Sequence, residues 1–155
     1  MQPSKSPDSN RVSKLAPPSP GPRFRVLIVE DDPAFADFLA WSLAERGYAV
    51  ELAADVREAL TRLGEGSEPV AFDLVLSDIA LPGAPGTDLL FSRAVVARRT
   101  PVILMSGFAT SELQAFVETC GGEFLSKPFK LDSLFQSLGG RLLAADASPC
   151  GVEVT

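Results

Sequence analysis

The sequence predicts an α/β protein in which five parallel strands alternate with five helices to form a doubly wound sheet. Three short runs of continuous apolar residues, at 26–29, 74–76 and 102–105, are typical of strands that are buried on both faces. Two further strands, at 48–52 and 123–127, carry charged residues and are therefore expected at the sheet edges. Strict alternation with helical segments indicates right-handed crossovers, and three apolar central strands fit the order 2-1-3-4-5. This is the flavodoxin-like (βα)5 arrangement.

The first two helices carry N-terminal capping signals. Asp32 followed by Pro33 predicts a helix that begins there, and Gly47 is typical of its C-terminal end. Asp55 and Glu58 form a capping-box pattern at the start of the second helix.

The remaining three helices are predicted from their apolar spacing. A third helix is expected from about residue 87 to 97. The fourth has apolar residues at i, i+3, i+4 and i+7, namely Leu113, Phe116, Val117 and Cys120. The fifth has the same type of stripe, namely Leu131, Leu134, Phe135 and Leu138. Its end is left open between the glycines at 139–140 and Leu142.

One folded domain, at residues 24–145, is expected between two tails, at 1–23 and 146–155. The first tail holds six of the 13 prolines and five serines, with a formal charge of +3, so the rest of the chain carries −9. A segment with so few apolar residues cannot offset the entropy lost on ordering, which predicts a flexible tail. A docking or localisation segment is the alternative.

Composition excludes several classes of function. A net charge of −6 and a pI near 4.6 disfavour nucleic-acid binding, which needs a basic face. The 155-residue chain has no histidine, so it has no Ser-His-Asp triad and cannot carry a phosphohistidine. Two cysteines are too few for a four-cysteine zinc site. No apolar run is long enough for a membrane span or a signal peptide, so a cytoplasmic protein without membrane contact is expected.

Chemically useful side chains follow four of the five predicted strands. They occur at residues 30–32, 77–78, 106–107 and 127–128. Because ligands of an open α/β sheet bind beyond the carboxyl ends of its strands, these side chains are expected to meet on one rim.

These residues predict a site on the rim that binds a divalent cation and uses a carboxylate as the nucleophile. The acidic first turn would repel a nucleotide phosphate, whereas clustered carboxylates suit Mg²⁺. With the cation bound, Asp78 becomes the candidate nucleophile, with Lys127 and Ser106 on the phosphoryl oxygens. Singly, each residue has a simpler interpretation: Asp32 as a helix cap, and the others as turn or surface residues.

Four blocks of sequence resemble the signature motifs of response-regulator receiver domains. They are VEDDP at 29–33, LSDIALPG at 76–83, MSG at 105–107 and KPF at 127–129. The resemblance covers about residues 24–143, which is essentially the whole predicted folded part.

The resemblance implies a role for each rim residue. Asp78 matches the phospho-accepting aspartate. Glu30 and Asp31 match the acidic pair that serves Mg²⁺, with Asp31 as the direct ligand and Glu30 acting through water. The backbone carbonyl of Ala80 matches the third protein ligand.

Three further residues match the parts of the family that respond to phosphorylation. Ser106 matches the switch hydroxyl and Lys127 the site lysine, with a cis bond implied between Lys127 and Pro128. Phe124 matches the aromatic switch position, where the family often has tyrosine. Phe124 has no hydroxyl, so the resemblance does not imply an output that depends on a tyrosine hydroxyl at this position.

The expected function is that of a stand-alone phosphoacceptor switch in a two-component phosphorelay. It is not an enzyme beyond catalysing its own phosphorylation and dephosphorylation. Its donor is a sensor histidine kinase, a histidine phosphotransfer protein or a small acyl phosphate. Its output is protein contact, with an unknown target or a second copy, through helix 4, strand 5 and helix 5.

Three alternatives remain open from the sequence. The stretch SGFA at 106–109 resembles receivers of hybrid sensor kinases, so the chain is alternatively a module excised from one; Met1 and the tail argue against this. A haloacid-dehalogenase-type phosphatase needs a second aspartate where this chain has Ala80. A degenerate receiver that acts only as a binding module conflicts with the presence of the acidic pair together with Asp78, Ser106 and Lys127.

Overall fold

A computed structural model of the chain describes residues 24–66 and 70–147, and both predicted tails lie mainly outside these ranges. Five parallel strands form one sheet in the order β2-β1-β3-β4-β5, which confirms the predicted fold and strand order. The strands are β1 (Arg25–Val29), β2 (Ala49–Ala53), β3 (Leu74–Asp78), β4 (Val102–Ser106) and β5 (Glu123–Ser126).

Helices connect the strands and cover both faces of the sheet. They are α1 (Pro33–Glu45), α2 (Val56–Arg62), α3 (Arg93–Arg98), α4 (Ser111–Thr119) and α5 (Leu131–Ala147), with a 3₁₀ helix at Gly86–Phe91 before α3. Within the described ranges, no helix is long and apolar enough to cross a membrane.

The core consists of two apolar layers that are separated by the sheet. Alternate residues of β1 point to opposite layers: Val26 and Ile28 pack with α1 and α5, whereas Leu27 and Val29 pack with α2, α3 and α4. All four side chains are fully buried, and burying each contributes about 1.5–3 kcal/mol. The two layers therefore hold the central strands rigidly and fix the positions of their carboxyl ends.

The predicted N-terminal caps are present. Asp32 Oδ1 accepts a hydrogen bond from Ala34 N at 3.1 Å, and Asp55 Oδ1 accepts one from Glu58 N at 2.8 Å. The Glu58 carboxylate accepts a hydrogen bond from Ala54 N at 2.9 Å, whereas in a standard capping box it would accept one from Asp55 N.

The prediction of one continuous third helix is wrong. The 3₁₀ helix ends at Phe91, the next residue, Ser92, is extended with a ψ of 147°, and a separate α3 begins at Arg93. Ser92 Oγ accepts a hydrogen bond from Val95 N at 3.2 Å, so this side chain caps a new helix inside the predicted one.

The helix α5 continues through Gly139 and Gly140 to Ala147, so it includes the first two residues of the predicted C-terminal tail, whose other residues lie outside the described ranges. Leu134, Leu138 and Leu142 form one buried stripe along this helix. Burial of these leucines outweighs the helix cost of two glycines, which is about 1 kcal/mol each.

Candidate functional site

The carboxyl ends of β1, β3, β4 and β5 form one rim, and the predicted acidic residues meet there. Glu30 and Asp31 follow β1 directly, and Asp78 is the last residue of β3. One carboxylate oxygen from each of these three residues lies within 4.8 Å of the others. Residues that are distant in sequence thus place three anionic groups in one small volume.

Asp78 is buried and held at both carboxylate oxygens. Its side chain is only 10% exposed. Oδ2 accepts a hydrogen bond from Lys127 Nζ at 3.0 Å, and Oδ1 accepts one from Ala80 N at 3.2 Å. Both donors orient the carboxylate, and the ammonium offsets its charge.

Glu30 lies deeper than Asp31, with a side chain that is 3% exposed. Its Oε2 accepts a hydrogen bond from Asp32 N at 3.1 Å. No described residue donates a hydrogen bond to the buried Oε1, which lies 3.6 Å from Lys127 Nζ. Burial raises the pKa of the Glu30 carboxyl above its ordinary value, with Asp78 and Asp31 adding to the effect.

The donor set fits a hard divalent cation. Three carboxylates supply the oxygen ligands that Mg²⁺ prefers, and an oxygen of Glu30 that is buried without a donor would gain a cationic partner. A single ammonium, that of Lys127, faces two carboxylates, so negative charge remains in excess among these side chains.

Lys127 is positioned by the strand ends and by an aromatic ring. Its backbone N donates to Ser106 O at 2.8 Å, which carries the β4–β5 pairing past the end of β5. The bond from Lys127 to Pro128 is cis, as the resemblance implied. The ammonium lies over the ring of Phe35, 4.8 Å from its centroid, within the range of a cation–π interaction.

The backbone behind Asp78 is closely packed by Gly86. A methyl group at position 86 would lie 2.0 Å from the carbonyl oxygen of Asp78 and 2.8 Å from Ser77 Oγ. Gly86 N also donates to Ile79 O at 2.9 Å. The loop from 79 to 85 is therefore closed tightly against the end of β3, and only glycine fits where it closes.

Ser106 and Phe124 lie near the rim, but neither contacts Asp78 through a hydrogen bond that the structure describes. Ser106 Oγ accepts from Phe108 N at 3.0 Å, so its hydroxyl is engaged within its own loop. Phe124 is half-buried on the α2–α4 side of the sheet and pairs in register with Leu104.

Sequence reasoning missed Phe35 and Gly86. The signal for Phe35 was an aromatic residue in the first turn of α1, directly after the acidic loop, but its contact with Lys127 depends on the fold. The signal for Gly86 was a glycine eight residues after Asp78, and nothing in the sequence shows which backbone approaches it. Asp32 caps the N-terminus of α1, and among the described residues it is not part of the carboxylate cluster that could hold a metal ion.

The family is shown by comparison with known proteins. The response regulator receiver domain family matches residues 26–139. This chain therefore belongs to the response regulator receiver domain family, whose members are signalling switches of two-component systems.

Individual relatives support the same assignment. The transcriptional regulatory protein TcrA of Mycobacterium tuberculosis is 33% identical over 115 residues, which cover 74% of this chain and 44% of that protein. The transcriptional activator protein PfeR of Pseudomonas aeruginosa is 38% identical over 123 residues, which cover 79% of this chain and 37% of that protein. The chain thus spans less than half the length of these curated relatives.

A solved structure shows the same fold. The CheY-like response regulator receiver domain protein from Methanospirillum hungatei JF-1 superimposes with a TM-score of 0.70 at 33% sequence identity. The match covers 79% of this chain and 96% of that one.

Proposed function

We propose that this chain is a phosphoacceptor that receives a phosphoryl group on Asp78 from a partner phosphohistidine, in a reaction that depends on Mg²⁺. The observation that carries the proposal is the environment of Asp78. Its buried carboxylate lies 3.0 Å from an ammonium and within 4.8 Å of two further carboxylates, at the carboxyl edge of a parallel sheet. A carboxylate that is held in this way is an oriented nucleophile whose negative charge is balanced locally.

Four protein groups would hold the ion. They are the carboxylates of Asp31, Asp78 and Glu30, the last acting through water, and the backbone carbonyl of Ala80. When bound, Mg²⁺ neutralises the charge of the acidic cluster and of the incoming phosphoryl oxygens. The tight closure of the 79–85 loop by Gly86 supports a fixed position for the Ala80 carbonyl.

Lys127 and Ser106 would bind the transferred group. The Lys127 ammonium already lies between Asp78 and Glu30, so it can shift its contact to a phosphoryl oxygen on Asp78 without leaving the site. The Ser106 hydroxyl must exchange its bond with Phe108 for one to the phosphoryl group. That exchange would couple chemistry at Asp78 to the loop that precedes α4.

The partners follow from the composition. Because these 155 residues contain no histidine, the phosphohistidine donor lies outside them, in a sensor histidine kinase or a histidine phosphotransfer protein, and a small acyl phosphate is the other donor. The output passes to a protein target, or to a second copy, through the face of α4, β5 and α5.

Intact mass spectrometry after incubation with Mg²⁺ and acetyl phosphate tests the proposal. We expect the protein to gain one phosphoryl group, to lose this gain when EDTA removes the ion, and to show none for Asp78→Asn. Asp88→Asn is the matched control, since Asp88 is an exposed aspartate in the neighbouring 3₁₀ helix, and it should label like the wild type. Labelling of Asp78→Asn at the wild-type yield would overturn the acceptor assignment.

A further inference from the structure

An open cavity of about 570 Å³ adjoins the acidic site. Its polar lining consists of Glu30, Asp32, Lys127 and Gly107, and the rest of the lining is an apolar wall. The wall consists of Phe35, Phe38, Pro128, Phe129 and Leu131. One space therefore reaches from the groups around Asp78 to a set of aromatic rings.

The aromatic wall supplies no ligand for Mg²⁺ or for a phosphoryl group, because both need oxygen ligands or charged partners. Its rings are arranged around Phe35, whose centroid lies 6.4 Å from that of Phe38 and 6.2 Å from that of Phe129. Phe38 nevertheless remains 47% exposed. Three clustered rings beside a reactive carboxylate offer contact to a further aromatic group.

Lys127 contacts both Asp78 and the apolar wall. Its ammonium lies 3.0 Å from Asp78 Oδ2 and 4.8 Å from the centroid of Phe35. The opposite side of the cavity is open at Gly107, where an added methyl group would meet nothing within 4 Å. The Lys127 ammonium thus contacts both Asp78 and the aromatic wall, and the cavity opens a path from the phosphoryl site to that wall.

We infer that this cavity is a leaving-group subsite that favours phosphoryl donors with an aromatic leaving group. The inference rests on the proposed function of Asp78. With benzoyl phosphate, the bond between phosphorus and the bridging oxygen breaks as an Asp78 oxygen bonds to phosphorus. Benzoate departs with the electron pair, and no proton is transferred. The ring of the departing benzoate contacts Phe35 and Phe38, while acetate has no ring to place there.

The test compares benzoyl phosphate with acetyl phosphate as donors, in Mg²⁺ buffer, by the rate of phosphoryl gain in the intact mass. The rates of spontaneous hydrolysis of both donors correct for their intrinsic reactivity. After this correction we expect the wild type to prefer benzoyl phosphate by about two- to tenfold, the range that one aromatic contact contributes.

Variants of the wall residues test whether the preference for benzoyl phosphate arises in this cavity. Phe38→Ala should bring the corrected ratio close to one, and Phe35→Leu should lower it. Phe91→Ala is the matched control, since Phe91 is 59% exposed and packs near Phe116 on the other face of the sheet. It should keep the wild-type ratio.

A binding readout that needs no chemistry completes the test. Benzamide, which has the same ring but no charge for the acidic cluster to repel, should shift the aromatic NMR signals of Phe35 and Phe38 and leave those of Phe91 in place. Unmoved signals of Phe35 and Phe38 would overturn the subsite. A corrected ratio of one in the wild type, or a ratio unchanged in Phe38→Ala, would overturn the subsite alone. Labelling by neither donor would overturn the proposed function, and the subsite with it.

Discussion

At the scale of single residues, Glu30 and Asp78 differ in how many hydrogen-bond donors their carboxylate oxygens have. Asp78 has a donor at each carboxylate oxygen, whereas Glu30 keeps one buried oxygen to which no described residue donates. Without an ion, the charged form of Glu30 is therefore unfavourable in the folded protein, and this is the reason for its raised pKa.

The first prediction concerns the stability of the metal-free protein. The folded protein binds a proton at Glu30 more tightly than the unfolded chain, in which the pKa of a glutamate carboxyl is 4.5. The free energy of unfolding should therefore fall as the pH rises from 4.5 through the raised folded pKa, and the loss is complete above it. Glu30→Gln should be more stable than the wild type at neutral pH and should lack this part of the pH dependence.

Urea unfolding in EDTA across this pH range measures the effect. Asp88→Asn is the control, because Asp88 is exposed and lies outside the acidic cluster, and it should keep the pH dependence of the wild type. A Glu30→Gln protein that is less stable than the wild type at neutral pH would contradict the prediction.

A second prediction concerns the lifetime of the phosphorylated protein. Ala80 is exposed beside Asp78, and its methyl group can neither orient nor polarise an attacking water. The side-chain amide of an asparagine can hydrogen-bond to this water and orient it. Ala80→Asn should therefore accelerate loss of the phosphoryl group, by less than the ~10²-fold or more that a proton-transferring group contributes.

The measurement is decay of the phosphorylated protein after donor removal, in one Mg²⁺ buffer. Ala71→Asn, an exposed position on the amino side of β3, should decay like the wild type. Equal decay constants for Ala80→Asn and the wild type would show that position 80 does not handle the water.

At the scale of elements, α4 is held in place by little burial, as is α3, which also has a single buried residue. Val117 is the one fully buried residue of α4 within the described structure, and the Ser106 loop leads directly into this helix. Phe124 of β5 packs on the same side of the sheet. A change in the bonding of Ser106 can thus reach α4 and Phe124 through few contacts.

The third prediction is that beryllofluoride with Mg²⁺ shifts amide NMR signals of α4 and around Phe124 as well as those near Asp78. The coupling comes from a few hydrogen bonds, on the order of 1–3 kcal/mol, so both conformations should be populated beforehand. Ser106→Ala should keep the shifts near Asp78 and lose the distant ones. Wild-type shifts that stay confined to the Asp78 loop would rule out the coupling.

The fourth prediction compares two glycines in different elements. Gly140 is in α5 with open space around an added methyl group, so Gly140→Ala should stabilise the fold by about 0.5–1 kcal/mol. Gly86→Ala should destabilise it by about 1–3 kcal/mol, because the methyl group meets the Asp78 carbonyl. Urea unfolding of both variants decides this, and a stabilising Gly86→Ala would contradict the close packing described above.

At the scale of the whole molecule, the sequence was sufficient for the architecture. Strand order followed from which strands were wholly apolar, because burial on both faces demands it. Convergence of Glu30, Asp31 and Asp78 followed from the rule that parallel strands end on one rim, and the structure confirms it.

The features that were missed depend on packing between distant segments. The break at Ser92 is a local hydrogen bond that apolar periodicity cannot detect. The contact of Phe35 with Lys127 and the fit of Gly86 against Asp78 join residues far apart in sequence or on separate elements. Such contacts require the register of the strands before they can be inferred.

The central claim is that Asp78 is the residue that receives the phosphoryl group. Borohydride reduces an aspartyl phosphate to homoserine, so it leaves a stable mark at the modified position. After incubation with Mg²⁺ and acetyl phosphate, reduction and peptide sequencing by mass spectrometry should find homoserine at position 78. Homoserine at Asp31 or Asp32, with aspartate retained at position 78, would contradict the account.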